Sequence, residues 1–402
     1  MNKALERFLR YAKIDTTSDE NATTTPSTKG QWELARMLEQ ELKDLGCEEV
    51  CLDENCYVYG KIPGNTEGAP VIALIAHIDT ADAVPGRDFN PRVVLYEGQD
   101  LVLNEELDIV LSDKDFPALK QYVGEELVVT DGTTVLGADD KAGIAEIMTA
   151  GEILLKQKDI PHGEVWLVFT PDEEIGSGAE LLNLEKIKAD FGYTVDGGSI
   201  NEIEYENFNA ASAKVLIKGR NVHPGSAKNK MINAVKVGMA YHHLLPQKQT
   251  PEETEGYEGF FHLRQVKGTE ENMEMDYLIR DHDRKKFEEK KTVMQSAAQA
   301  INSRYGKGTA QVIITDSYQN MRNIIETVPH VIERAENAIR ACGMTPAKSP
   351  IRGGTDGARL SFRGLPCPNL GTGGINFHGV YEFLPVKALN KMAKVLVEIV
   401  RV

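Results

Sequence analysis

Paired cysteines, long hydrophobic runs and surplus positive charge are all missing from this sequence, and each absence removes a class of protein. The five cysteines, Cys47, Cys51, Cys56, Cys342 and Cys367, are an odd number, and no two form a C-x-x-C pair. Reduced thiols in a cytosolic protein account for them, so the cytoplasm is the expected compartment. The longest apolar stretches, such as VIALIA at 71–76, are strand-length. They fall well short of the roughly 20 residues a membrane helix needs, which argues against a membrane partner. Lys and Arg number 45 against 61 Asp and Glu, for a net charge of -16, and no window gathers the basic residues into a stripe. Nucleic acid is therefore not an expected partner. The first residues, MNKALERFLRYAKID, alternate charged and apolar positions at helical spacing. They read as a first helix rather than a signal peptide, because no continuous apolar core or small-residue cleavage site follows.

What remains is a chain of 402 residues with 41% hydrophobic and 26% charged residues, the balance of a folded globular protein long enough for two domains. Its first half alternates helical patterns with short apolar runs, the grammar of an α/β sheet covered by helices. The runs are YVYGKI (57–62), VIALIAH (71–77), EVWLVFT (164–170) and FGYTVD (191–196). Ser27 is placed to cap a helix that ends at Gly46, and a second helical stretch covers 141–157. Continuous apolar runs suit central strands covered on both faces. After Asn207 the order becomes β-α-β-β-α-β, a ferredoxin-like α+β unit. From about Ser317 the chain returns to helix, glycine-rich segments and a C-terminal helix. The expected organisation is a catalytic domain in two parts, 1–207 and 317–402, with a mixed, mostly parallel sheet, and an inserted domain at 208–316.

Residues of metal-binding type stand where the strands end, the edge at which open α/β sheets bind ligands. His77 and Asp79 close the run VIALIAH, and alternation puts both on one face, so the carboxylate can orient the imidazole. Asp139 and Asp140 lie in GADDKAG at a helix mouth, where a plain N-cap is the alternative. Asp172, Glu173 and Glu174 follow EVWLVFT directly. Three adjacent carboxylates resist burial unless a cation offsets them, and a solvated loop is the alternative. Asp196 ends FGYTVD as an ordinary turn residue could, and His378 in GGINFHG could be a surface histidine. Together, two histidines and several carboxylates suffice for a pair of metal ions with one carboxylate bridging.

These motifs, in this order and spacing, resemble the di-zinc peptidases, the family of carnosinase and succinyl-diaminopimelate desuccinylase. Within that family, LGADDKAG, TPDEEIG, the VDGG ending and RGGTDG are similar to the tripeptide aminopeptidases. The resemblance covers almost the whole chain, and the inserted unit sits where the family carries a lid. It implies two zinc ions per subunit, one on His77 and one on His378, with Asp139 bridging and Glu174 and Asp196 as terminal ligands. It also implies that Glu173 is the general base and that Asp79 orients His77. His223, in NVHPG at the end of the first lid strand, is implied to polarise the scissile carbonyl. Arg280 in YLIRDHD and Arg352 in IRGGTDG suit peptide-carboxylate or backbone anchors. A short peptide is the expected partner, and a homodimer through the lid is a further expectation. A dipeptidase, a carboxypeptidase or an N-acyl amino acid hydrolase shares the same metal motifs. A silent binding protein that kept the fold has no need of so many acids and imidazoles at one edge.

Overall fold

The apolar runs that end at His77, Thr170 and Asp196 become adjacent parallel strands in the computed structural model, which describes residues 2–84 and 88–402. Met1, at the head of the expected first helix, lies outside the described residues, and the helix spans Lys3–Tyr11. The chain divides into two compact units, one of Met1–Tyr205, Asn323–Ser349 and Thr355–Val402, the other of Glu206–Arg322 and Pro350–Gly354.

The larger unit is built on an eight-stranded sheet. Its order is Glu48–Leu52, Val58–Ile62, Val165–Thr170, Ile72–His77, Phe191–Gly197, Asn369–Gly371, Glu202–Asn207 and Ala347–Ile351. The four middle strands run parallel, while Val58–Ile62 and Glu202–Asn207 join them antiparallel. The sheet is therefore mixed, with a parallel centre. Val165–Thr170 and Ile72–His77 are buried along their whole length, as strands covered on both faces must be. Their register sets His77 opposite Thr170, so both release their chains at one level. Between Phe191–Gly197 and Asn369–Gly371 the register slips at Asp196, which leaves that residue in a bulge at the same edge.

Two helix starts differ from the sequence expectation. Thr28, not Ser27, precedes the helix Lys29–Leu45, and it makes no side-chain cap. The Ser27 amide and hydroxyl are engaged by Asp172 instead. Gly46 closes this helix with φ +87, a conformation open to glycine. Asp139 is not the N-cap of the helix Ala138–Lys156. Gly137 holds that position with φ +74, and Asp139 itself has non-helical backbone angles.

The smaller unit has a four-stranded antiparallel sheet in the order Phe260–Gly268, Asn272–Asp281, Asn209–Lys218, Ala310–Tyr318, the ferredoxin-like order. The helices Ala234–His243 and Arg284–Tyr305 share a core with it, around Tyr241, Met294, Tyr277 and Phe261. Pro350–Gly354 packs with this unit.

Unanticipated was a second small sheet of the larger unit, Phe383–Pro385, Glu125–Val129 and Arg92–Tyr96, with a hairpin of Leu101–Asn104 and Ile109–Leu111. These strands are only three to five residues long, so no apolar period marks them. Their inward residues, among them Tyr96, Leu103, Leu127 and Phe383, make a core of their own. Among the described residues no helix is long and apolar enough to cross a membrane.

The helix Ala138–Lys156 is buried on nearly every face and carries Glu146, fully buried, with both carboxyl oxygens lacking a partner. Burial alone raises its pKa well above the ordinary value, so the folded chain holds this group protonated. The unfolded chain ionises near pH 4.3. The folded state therefore binds the extra proton, and stability falls as pH rises from that point toward the folded pKa, by at most about 1.4 kcal/mol per pH unit. Replacing Glu146 by Gln should remove this dependence. Thermal denaturation of Glu146→Gln and the parent at pH 5 and pH 8 should show a larger advantage for the variant at pH 8. An equal difference at both pH values would mean that Glu146 does not titrate on unfolding.

Candidate metal and catalytic centre

The parallel strands deliver their side chains to one edge because each ends where the next residues turn out of the sheet. His77 is the last residue of its strand, Asp172 to Glu174 follow Thr170 and Pro171, Asp196 sits in its bulge, and His378 lies beyond Asn369–Gly371. Asp139 reaches the same edge from the mouth of the helix behind it. The structure brings all five expected ligands together, in two groups that share one residue. His77, Asp139 and Asp196 form the first group, and Asp139, Glu174 and His378 the second.

Asp139 stands between the imidazoles. Its Oδ1 lies 2.8 Å from His77 Nε2, and its Oδ2 lies 3.0 Å from His378 Nε2. Asp196 Oδ1 is 3.3 Å from His77 Nε2, and Glu174 Oε1 is 3.1 Å from His378 Nε2. Each nitrogen therefore points between two carboxylate oxygens. Glu174 Oε1 is buried and makes no hydrogen bond, even with the imidazole so near. A buried acceptor left open is costly unless a group absent from the protein chain fills it.

The charges of the cluster point the same way. Burial holds Glu173 and Glu174 above the ordinary carboxylate range, and it pushes Asp196 up to about 8 despite the opposing pull of His77. The hydrogen bond to Asp139 and the nearby Glu174 carboxylate push His378 up to about 11. Burial would lower His77, but the charge of Asp196 and the bond to Asp139 raise it. Burial would raise Asp139, and its bonds to both histidines bring it below the ordinary value. Protein alone balances these acids by keeping protons on both rings, and two divalent cations would replace those protons. The donor set fits such ions, with nitrogen and oxygen ligands around two positions and one carboxylate common to both.

The surrounding residues hold this set in place. His77 Nδ1 lies 3.0 Å from the main-chain oxygen of Asp79. A carbonyl only accepts, so Nδ1 carries a proton, and Nε2 is the nitrogen that would present its lone pair once a cation displaced its own proton. The Asp79 carboxylate is 3.3 Å from the same nitrogen and also accepts the amides of Glu173 at 2.9 Å and Glu174 at 3.1 Å. It thus ties His77 to the loop of the two glutamates. The Glu173 side chain makes no hydrogen bond among the described residues.

Four other acids support the centre in roles the sequence left open; Asp140, Asp172 and Asp356 stand in its motifs, and Glu382 stands in none. Glu382 is buried and accepts the amides of Leu136 (2.7 Å), Gly137 (3.0 Å) and Asp139 (3.2 Å). Burial and the charge of Asp139 push it up to about 7. Asp140 accepts the amide of His77 at 3.0 Å. Asp172 receives the Ser27 hydroxyl at 2.6 Å and Gln31 Nε2 at 2.7 Å, which anchors the residue before Glu173. Asp356 accepts the Thr170 hydroxyl at 3.2 Å. The one sequence signal for Glu382 is an acid beside a strand of apolar residues, EFLP, four positions after His378.

His223, Arg280 and Arg352 belong to the smaller unit. His223 is exposed, and its Nδ1 accepts the Gly225 amide at 3.2 Å. Arg280 donates from Nη1 to Ala211 O and Ile279 O and stacks on Tyr318. Arg352 has both terminal nitrogens engaged. Nη1 donates to Gly256 O and Glu258 O, and Nη2 to the carbonyl and hydroxyl of Thr254. Its fork holds the loop 254–258, and a free bidentate face for a substrate carboxylate is not what this arrangement offers.

Known proteins are similar to this chain. The model of peptidase family M20/M25/M40 matches residues 131–402. The chain is 54% identical over 402 residues to the peptidase T of Caldanaerobacter subterraneus subsp. tengcongensis, covering 100% of this chain and 98% of that one. The crystal structure of the aminopeptidase PepT from Bacillus cereus matches at a TM-score of 0.78 with 25% identity, covering 99% of this chain and 97% of its own. A Bacillus subtilis protein described as a dinuclear metal binding peptidase matches at a TM-score of 0.64 with 15% identity, covering 99% and 96%, a likeness of fold.

Glu382 touches no metal-type ligand side chain, yet it fixes the amide of Asp139. Replacing it by Gln keeps the size and leaves one acceptor oxygen where two now serve three amides. Divalent metal affinity, measured by competition with a chromophoric chelator, should fall about 10-fold to 100-fold, the usual effect of losing a partner that orients a ligand. Unchanged affinity would mean that the loop 136–139 holds its shape without Glu382.

Proposed function

The chain belongs to peptidase family M20/M25/M40, and from that premise we propose that it is a zinc aminopeptidase that releases the N-terminal residue of tripeptides. The observation that carries this reading is Asp139, which offers one oxygen to each imidazole and so prepares two cation positions that share a ligand. The name peptidase T, borne by a relative 54% identical over the full length, supports the substrate class.

In this reading His77, Asp196 and Asp139 hold one zinc ion, and His378, Glu174 and Asp139 hold the other. When bound, such a pair polarises a carbonyl and lowers the pKa of water toward neutrality. Glu173 is the general base, because its carboxylate is left without a hydrogen-bond partner while Asp79 fixes its main chain. It accepts the proton of the attacking water and delivers it to the leaving amine, so that one water is consumed per peptide bond cut. His223 is the donor to the developing oxyanion. Its Nδ1 accepts the Gly225 amide, so the neutral ring carries its proton on Nε2, the atom free to donate. Arg280 is the better carboxylate anchor of the two arginines, since Nε and Nη2 make no hydrogen bond among the described residues, whereas Arg352 is engaged on both terminal nitrogens.

Glu173→Gln and Glu174→Gln separate base from ligand. On a tripeptide with free ends, Glu173→Gln should lose at least about 100-fold in kcat, the scale of general base catalysis, and retain its zinc. Glu174→Gln should lose zinc affinity and recover part of its rate in excess zinc. Acetylating the tripeptide N-terminus should abolish turnover by the parent enzyme. Zinc loss in Glu173→Gln with full zinc in Glu174→Gln would reverse the two roles, and rapid cleavage of the acetylated peptide would replace the aminopeptidase reading with an endopeptidase or carboxypeptidase one.

A further inference from the structure

The larger unit contains a cavity of about 650 Å3 that none of the proposed metal ligands lines. That volume falls in the range of sites that enclose small organic molecules. Its walls are largely apolar, with Tyr122, Ile200, Ile375, Phe377 and Ala388 among them. Its polar side is cationic. Lys387, Lys391 and Lys394 stand on the helix Val386–Val400 at intervals of four and three residues, which places them on one face, and all three line the cavity. Lys387 is neutralised by Glu125 at 2.9 Å. Lys391 and Lys394 make no ion pair among the described residues. In a chain of net charge -16, two such cations side by side run against the overall balance. The first turn of the same helix, without an acid and capped by Pro385 with no side-chain acceptor, adds its positive end at Lys387 and Ala388.

Apolar walls with one cationic side select a molecule built the same way. A polyphosphate would leave the walls unfilled, and a neutral apolar molecule would leave the lysines unmatched. We propose that this cavity is a binding site for an apolar carboxylate of amino-acid to dipeptide size, its carboxylate held by Lys391 and Lys394 and its side chain against Ile375 and Phe377. The floor segment Gly373–Phe377 leads directly into His378, and Gly198–Ile200 follows Asp196 by one residue. An occupant therefore rests against both chain segments that carry these two residues. The amino acids and dipeptides released in the proposed reaction fall in this class, although the cavity's chemistry does not depend on that reaction.

The test uses 4-methylpentanoate, which has the apolar body and carboxylate but no amino group, and its neutral amide. Calorimetric titration of the metal-loaded protein should detect binding of the acid and at least about 10-fold weaker binding of the amide, as expected when charge-assisted hydrogen bonds are lost. Lys391→Gln/Lys394→Gln, two changes at exposed helix positions, should weaken the acid by at least about 10-fold and leave the amide unchanged. No binding of the acid to the parent protein at millimolar concentration would overturn the proposal. Equal binding of the acid to the double variant would overturn it as well, because the carboxylate would then be held elsewhere than by these two lysines. Should the double variant fail to fold, Lys391→Gln alone repeats the test, and unweakened binding of the acid to it would overturn the proposal in the same way.

Discussion

One carboxylate shared between two imidazoles organises this molecule. Asp139 can face both His77 and His378 only if its main chain leaves the helix path at that residue, and the structure secures this from several directions. Gly137 takes a left-handed conformation just before it, and Glu382 accepts the Leu136, Gly137 and Asp139 amides. Asp140 turns the other way to hold the His77 main chain. Gly374 packs so close to Ala138 that a Cβ there would stand 3.2 Å from the alanine Cβ, which keeps the His378 loop against the helix start. The shape of the centre is thus set by backbone hydrogen bonds to buried acids. Such an arrangement is rigid because every alternative leaves a buried charge or amide without a partner.

The sheet supplies the other half of the constraint. Level parallel strands end His77 and Thr170 side by side, and the bulge at Asp196 turns a third residue to the same edge. The acids that gather there repel one another in a buried place, which only opposite charge relieves. In the protein alone, protonated histidines and protonated carboxyls provide that relief. A centre built this way favours divalent cations for the same reason that it holds extra protons without them.

Much of this was legible in the sequence, for a physical reason. A strand that is apolar throughout and then ends in His or Asp announces both burial and the sheet edge, so His77, Asp196 and the run 172–174 could be read with their positions. Asp139 was legible as a residue of interest, although its local role was open between cap and ligand until its non-helical backbone was seen. What the supporting acids hold was not legible. Glu382, Asp140 and Asp172 act through contacts with residues far along the chain, and no local period or motif encodes that Glu382 will meet Asp139 across 243 positions. Ser27 shows the same limit, since its natural local use is a helix cap and its actual partner is Asp172. Arg352 reads as a free guanidinium until the loop 254–258 folds onto it. The second small sheet was missed because its strands are too short to show a period.

The claim on which the rest depends is that Asp139 joins two metal ions. Anomalous diffraction from crystals of the metal-loaded protein, recorded at the absorption edge of the bound metal, tests it directly. The account predicts two peaks about 3.5 to 4 Å apart, the separation of paired hydrolytic sites, with one oxygen of Asp139 toward each. A single peak, or two peaks with Asp139 bound to only one of them, would contradict it.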